Sequence, residues 1–372
     1  MLKRGSFMLH FSPTEEQEEI RHLARSIAGE QLRTQARSSE KSCDISPTLM
    51  QILTQTGLIT PFPEAYGGSG PIEAITYALI AEELGYGDGS LAMNCLGSLM
   101  GPLTIALTGS SAQQERFIPP FCSAGTGSTQ RGSFAFAEPT GGYFPADITA
   151  TARQDGDTYI LNGSKRNVVH GAHSDPRIAM FRLDGVEGLS SLCAFVLPED
   201  LDGLQITPDS DKLGLIAAPS ASYTFTNAIV PASALLGKPG HVGGVRAAML
   251  YMLLRAGIAC GTARAAFEYA SDYAQERIAF GRPIVSYQGI AFPLAEMAMK
   301  MDAVRLLLWN AVVNWDNDVD VQILLRSAEA AHHQALKLGK AATIDAVQVM
   351  GGAGFMQDHP VEMWMRNAAA ME

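Results

Sequence analysis

Arg277, Phe280 and Gln288 lie in one short stretch and have the types and spacing to hold a flat, phosphate-bearing ligand. The planar fork of Arg277 can grip a phosphate, Phe280 can stack on a ring, and Gln288 can hydrogen-bond a polar edge. They sit in YAQERIAFGRPIVSYQ, Tyr273–Gln288, which reads as a helix end, a tight turn and the start of a second helix. Ala266, Ala270 and Ala274 recur at helical spacing before it. Gly281 permits the turn and Pro283 starts the next segment. A plain helix hairpin with a solvated Arg and a core Phe has the same composition, so the turn alone leaves both readings open. Later, QVMGGAG at Gln348–Gly354 ends a helix with two glycines, as a helix C-cap does.

The elements that must carry these residues come from periodicity. Ser12-Pro13-Thr14-Glu15 reads as a capping box with Pro at the first helical position, and Ile20, Leu23, Ala24 and Ile27 continue it. Helical runs are expected at about Pro47–Gly57, Ile72–Leu84, Ser90–Leu107 and Gln113–Phe121, the third of these buried. PEAYGGSG at Pro63–Gly70 is Gly-rich, but no Gly-Lys-Ser/Thr comes after it to make a phosphate loop. From about Gly132 the texture changes to short β-branched and aromatic runs between Gly, Asp and Asn turns: SFAFAE, ITATARQ, TYILNGSK, IAMFRL, SLCAFVL and ASYTFTNAIV. That spacing predicts a small β-barrel or sandwich. From Val242 onward, long apolar helices predict a four-helix bundle with surplus apolar surface for subunit contacts. The expected organisation is mostly α with a central β domain: residues 8–130 helical, 131–238 β-barrel, 239–372 helical bundle.

Size and charge exclude other classes. A chain of 372 residues with net charge −11 and no basic run does not read as a nucleic-acid binder. The most apolar segments are interrupted by Gly, Pro or charge, so no membrane span is expected. The N-terminal MLKRGSF lacks an apolar core and reads as an extended start before Met8 rather than a secretory signal. Five scattered cysteines fit reduced thiols in a cytoplasmic protein and offer no zinc spacing. His332 and His333 are adjacent and do not share a helix face, so they make a poor metal site.

The Tyr273–Gln288 turn, Gln348–Phe355 and the helix–sheet–helix order together resemble the acyl-CoA dehydrogenase family, from about Phe11 to the last residue. The resemblance implies FAD bound across a subunit interface. Arg277, Phe280 and Gln288 would contact it from one side, and Gln348 and Gly352 would hold its adenine half from the neighbouring copy. FAFAEPTGG, Phe134–Gly142, resembles the family's aromatic-x-x-Thr-Glu-Pro-x-x-Gly-Ser-Asp segment along the flavin and the acyl thioester. Phe134, Phe136 and Pro139 match in type. The family's Thr is Ala137, and its Ser and Asp are Tyr143 and Phe144, each change losing a polar contact worth roughly 1 kcal/mol. KRNVVH, Lys165–His170, resembles the Lys-x-Trp-Ile-Thr-Asn strand, with Asn167 at the ring-covering aromatic and Val169 at the hydroxyl that bonds the flavin. Lys212-Leu213-Gly214 and Ile229–Gly237 fit the last barrel strands. By resemblance Arg255 borders the acyl-CoA pocket, and Met252 takes the place of a frequent Asp.

The activity this implies is FAD-dependent α,β-dehydrogenation of an acyl thioester on CoA or on a carrier protein. A Glu carboxylate takes the α-proton, the β-hydride passes to the flavin, and electrons pass on to a separate flavoprotein, in acyl thioester or fatty acid metabolism. A homo-oligomer, dimer or tetramer, is implied with it. No residue here occupies either family position of that Glu. One position is Leu254. The other falls about three residues beyond Glu372, after Arg366-Asn367-Ala368, which points to a further tail carrying the base. Two alternatives stay open: a non-catalytic subunit or binding protein on the same scaffold, or an O₂-using oxidase or monooxygenase relative.

Overall fold

The structure is a computed structural model that describes residues 12–123, 125–140 and 142–372; the extended start before Met8 and the domain start at Met8 lie outside the described residues. The first helix, α1 (Glu15–Ile27), begins two residues later than the sequence pattern indicates. Its cap is Thr14, whose hydroxyl accepts the Gln17 N–H at 3.2 Å while Gln17 Oε1 accepts the Thr14 N–H at 3.0 Å. Ser12 and Pro13 precede the helix. The reason is a second anchor: Gln17 also donates to Glu73 at 3.1 Å, and Ser12-Glu15 has no such tie. After a π-type turn come α2 (Arg33–Ser42), α3 (Pro47–Gln55, capped by Ser46), α4 (Ala74–Gly87) and α5 (Gly89–Thr108). The expected Gln113–Phe121 helix is two, α6 (Ser111–Phe117) and α7 (Pro119–Cys122), because Pro119 and Pro120 restart the chain.

Seven strands come next: β1 (Ser133–Ala135), β2 (Thr151–Asp155), β3 (Thr158–Val169), β4 (Arg177–Leu183), β5 (Leu192–Leu197), β6 (Leu204–Pro208) and β7 (Ser220–Pro231). β6 is not among the runs expected from the sequence, because LQITP is short and carries only two large apolar residues. The sheet runs β1-β4-β2-β3-β7-β6, with β5 also on β4. Tyr159 of β3 meets Phe195 of β5 with ring centroids 5.0 Å apart although the two strands are not neighbours, so the sheet curls around its own core. Phe181, Phe195, Tyr223 and Phe225 fill that core.

The chain then enters α8 (Gly243–Glu276), a two-stranded hairpin of β8 (Ile278–Ala279) and β9 (Arg282–Pro283), α9 (Gln288–Asp316), α10 (Val321–Met350) and α11 (Val361–Met371). Pro283 therefore belongs to the hairpin, and the next helix starts five residues later. Phe280 and Gly281 both have positive φ, +51° and +84°, the conformation that turns a two-residue hairpin. α8 packs against α4, α9, α10 and α11, and the second, larger core is continuous from α1 to α11. One expectation needs correction. α5 and α8 are long and apolar enough to cross a membrane by length and composition, and their Gly and Pro residues do not break them. About nine-tenths of each apolar window is buried inside the chain, so they serve as core helices here.

Candidate active site

The turn after β1 and the end of β3 meet at a cavity of about 610 Å³ between the curled sheet and the C-terminal helices. β1 is held on β4 in parallel register, Phe134 opposite Ile178. Beyond it the backbone of Glu138 pairs with Gly142 through two 3.1 Å hydrogen bonds, a narrow turn that delivers Tyr143 to the cavity. In β3 one extra residue lies between Lys165 and Val168, which face Tyr223 and Ala221 across the ladder. Asn167 takes a left-handed backbone, φ +53°, at this bulge. Asn167 and Val169 line the cavity.

The opposite wall is α11 and the loop Lys212–Leu215. A Cβ on Gly214 would lie 2.1 Å from the Arg366 carbonyl oxygen, so only glycine permits this approach. Two hydrogen bonds fasten it: Arg366 Nη1 donates to the Leu213 carbonyl at 2.7 Å, and the Leu215 N–H to Asn367 Oδ1 at 2.8 Å. Lys212 ties the loop back on itself, donating to the Leu215 and Ala218 carbonyls at 2.9 and 2.6 Å. Met93 of α5 and Ile344 of α10 complete the apolar lining.

Arg255 closes one side. Its side chain is buried, 1% exposed, and no carboxylate lies within 4 Å of it among the described residues. Its guanidinium lies 3.6 Å from the centroid of the Tyr143 ring, donates to the Met371 carbonyl, and approaches His332 Nε2 at 3.4 Å. Burial, then repulsion by Arg255, holds His332 well below its ordinary pKa, so the imidazole stays neutral and can accept from the cation. A buried, unneutralised guanidinium at the edge of an apolar cavity favours negative charge arriving there.

Of the residues singled out in the sequence, Tyr143, Asn167, Val169 and Arg255 converge on this cavity. Phe134, Phe136, Ala137 and Met252 lie behind it in the core; Phe134 and Phe136 stack at 5.3 Å and do not line the space. Arg277, Phe280, Gln288, Gln348 and Gly352 are exposed, on the β8–β9 hairpin, the start of α9 and the end of α10. Phe280 is 96% exposed. Within one chain they do not join the cavity. Sequence reading misses Met93, His332 and Arg366 as neighbours of the site. His332 enters it only as half of an adjacent histidine pair judged a poor metal site, and no local signal marks a helix residue that meets Arg255 across the bundle.

The residues suit a flavin. The cavity walls are mainly apolar, from Met93, Val169, Leu213, Leu215, Ile344 and Met365, with Asn167, Ser220 and Arg366 as polar groups at the edge. That composition matches a flat aromatic ring with a hydrogen-bonding rim. The hydroxyl groups that Ala137 and Val169 replace are missing, so the polar contacts come from fewer side chains.

Comparison with known proteins agrees. The N-terminal, middle and C-terminal domain models of acyl-CoA dehydrogenase match residues 14–125, 133–228 and 244–372. An acyl-CoA dehydrogenase of Bacillus subtilis (strain 168) is 32% identical over 361 residues, covering 95% of this chain and 93% of that protein. The cyclohex-1-ene-1-carbonyl-CoA dehydrogenase of Syntrophus aciditrophicus (strain SB) is 31% identical over 360 residues, 95% of this chain and 85% of that one. The solved butyryl-CoA dehydrogenase of Megasphaera elsdenii superposes with a TM-score of 0.82 at 28% identity, over 98% of this chain and 95% of that one. From its sequence, its fold and these relatives, the chain belongs to the acyl-CoA dehydrogenase family, FAD-dependent oxidoreductases that act on CH–CH groups.

Proposed function

We propose that the chain removes two hydrogens from the α and β carbons of a CoA- or carrier-bound acyl thioester and passes the electrons to a separate flavoprotein. FAD, when bound, accepts the β-hydride. Asn167, Val169 and the Lys212–Leu215 loop would flank its ring in the cavity. Arg277, Phe280 and Gln288 of one copy, with Gln348 and Gly352 of another, would hold the rest in a homo-oligomer, dimer or tetramer, in the cytoplasm. The observation that carries this reading is the convergence of Tyr143, Asn167, Val169 and the buried Arg255 on one apolar cavity.

The chain's own residues supply position and charge. Apolar walls exclude water around the acyl group and strengthen every charge inside. Arg255, with no carboxylate partner among the described residues, favours the negative charge that develops on the thioester as the α-proton leaves. Leu254 is buried and carries no proton-accepting group, and the described cavity lining holds no Asp or Glu, so the α-proton would pass to a carboxylate base brought to the cavity from elsewhere.

Purified protein tests this directly. A yellow chain whose absorbance bleaches anaerobically with an acyl-CoA supports the dehydrogenase. A second reading, a non-catalytic subunit of the same fold, is favoured by the missing hydroxyls at Ala137 and Val169; it predicts bound or absent flavin that no acyl thioester bleaches. Peroxide release on turnover would indicate direct use of O₂.

A further inference from the structure

Lys165 is buried inside the curled sheet, where its ammonium lies 2.7 Å from Glu138 Oε1 and 5.3 Å from the centroid of the Phe181 ring. Glu138 is saturated with donors. Besides Lys165 it accepts the Thr149 N–H at 2.8 Å, the Thr149 hydroxyl at 2.6 Å and the Ala150 N–H at 2.9 Å. Glu138 is the residue next to Ala137 at the start of the turn that delivers Tyr143. Lys165 is two residues before Asn167. The Arg166 N–H, between them, donates to the Ala137 carbonyl at 3.0 Å.

The ladder makes this placement consequential. In a regular strand, residues 165, 167 and 169 would point to one face. The extra residue between Lys165 and Val168 breaks that rule. Lys165 points into the sheet core beside Phe181, Val168 belongs to the same core, and Asn167 and Val169 line the cavity instead. A slip of the bulge by one residue would exchange these faces. Among the other side chains of this segment only Asn167 favours this phase, because Asn tolerates the left-handed backbone there; Val168 and Val169 are both apolar and tolerate either face.

We propose that the Glu138–Lys165 pair is a positioning device: by holding Lys165 inside the sheet it fixes the phase of the bulge. It thereby decides that Asn167 and Val169 face the cofactor cavity while Tyr143 is delivered from the adjoining turn. The proposal rests on the reading of that cavity as the flavin site. Neither residue touches the cavity, so both act through their neighbours.

The test compares the full chain with Glu138→Gln, Lys165→Met and the double variant. Each is followed by melting temperature, FAD affinity in a fluorescence titration, and hydrogen exchange of the amides at 167–169. Each single change strands one buried charge, and is expected to lower the melting temperature and weaken FAD binding at least tenfold. The double variant removes both charges. It should regain most of the melting temperature, yet keep at least a tenfold loss in FAD affinity and faster exchange at 167–169, because only the backbone preference of Asn167 then selects the phase of the bulge. A double variant that binds FAD as tightly as the parent, with unchanged exchange at those amides, overturns the proposal, as does a folded single variant with parental FAD affinity. If the single variants do not fold, the double variant decides. If the parent takes up no FAD, the functional reading fails, and the exchange rates alone decide the positioning claim: unchanged rates in the double variant refute it.

Discussion

Gly214 offers a sharp perturbation because its backbone is not left-handed, so alanine there is resisted by contact alone. The added Cβ would sit 2.1 Å from the Arg366 carbonyl oxygen, 2.5 Å from its carbon and 3.0 Å from the Ala370 Cβ, where ordinary contact begins at 3.4 Å. Two of the three atoms are backbone and cannot swing aside, so the loop and α11 must part by roughly 1 Å. Parting strains the Arg366–Leu213 and Leu215–Asn367 hydrogen bonds, at 2.7 and 2.8 Å, which hold the same two segments together. Overpacking of this kind costs about 1–3 kcal/mol, and a weakened charged hydrogen bond adds about 1 kcal/mol or more. Gly214→Ala is therefore expected to lose about 3 kcal/mol, seen in denaturant unfolding or as a drop of several degrees in Tm. Because the displaced wall is a wall of the cavity, FAD retention on gel filtration should fall with it. Gly29→Ala is the control, since its Cβ would meet nothing within 4 Å; it should be neutral or slightly stabilising. A Gly214→Ala chain within about 0.5 kcal/mol of the parent, with FAD retained, would refute the close-approach argument.

Other outcomes rest on single features. Arg255→Gln should lower kcat/KM for an acyl thioester by about 10²-fold, as removal of one charge-stabilising group from a dry site does; a change below about threefold in steady-state rates with an artificial electron acceptor would remove Arg255 from the reaction. Arg277→Ala and Phe280→Ala alter exposed groups, so Tm of the FAD-free chain should stay put while FAD dissociation rises at least tenfold; equal affinity in a titration would move the cofactor elsewhere. His170 is pushed down from 6.5 to about 4, by burial first and by Arg131 next, and its Nε2 lies 3.0 Å from the Asn94 carbonyl. The unfolded chain takes up its proton at 6.5 and the folded chain only near 4. Its contribution is therefore complete above pH 6.5 and lost as pH falls through 4, up to about 3 kcal/mol. Chemical unfolding across that range should show a shallower acid loss in His170→Gln, and parallel curves for the two chains would contradict the burial argument.

The periodic part of the fold is legible in the sequence. α5, α8, α9 and α10 come from long apolar runs, and a tight turn from Gly281, although the two short strands β8 and β9 beside it are not read. The segments that resemble the family's cofactor motifs are legible, because Arg277, Phe280 and Gln288 stand in one short stretch and QVMGGAG forms another. The features that escape depend on long-range placement. β6 carries too few apolar residues to register. The bulge in β3 cannot be read from KRNVV, since alternation puts Lys165 and Asn167 on one face, and only the burial of Lys165 against Glu138, 27 residues away, separates them. Nor can Arg255 be told from a surface charge: its partners come from the turn after β1, from α10 and from the end of α11, all at least 77 residues away along the chain.

That arrangement makes Arg255 a mechanical joint. One planar cation carries the ring of Tyr143 on its face, the carbonyl of Met371 on an η nitrogen and the imidazole of His332 beside its ε nitrogen, so three segments distant in sequence meet at a single side chain. A guest bearing negative charge competes with all three at once for that cation. The charge of what enters, as well as its bulk, therefore bears on how the turn, α10 and the end of α11 sit around that side chain.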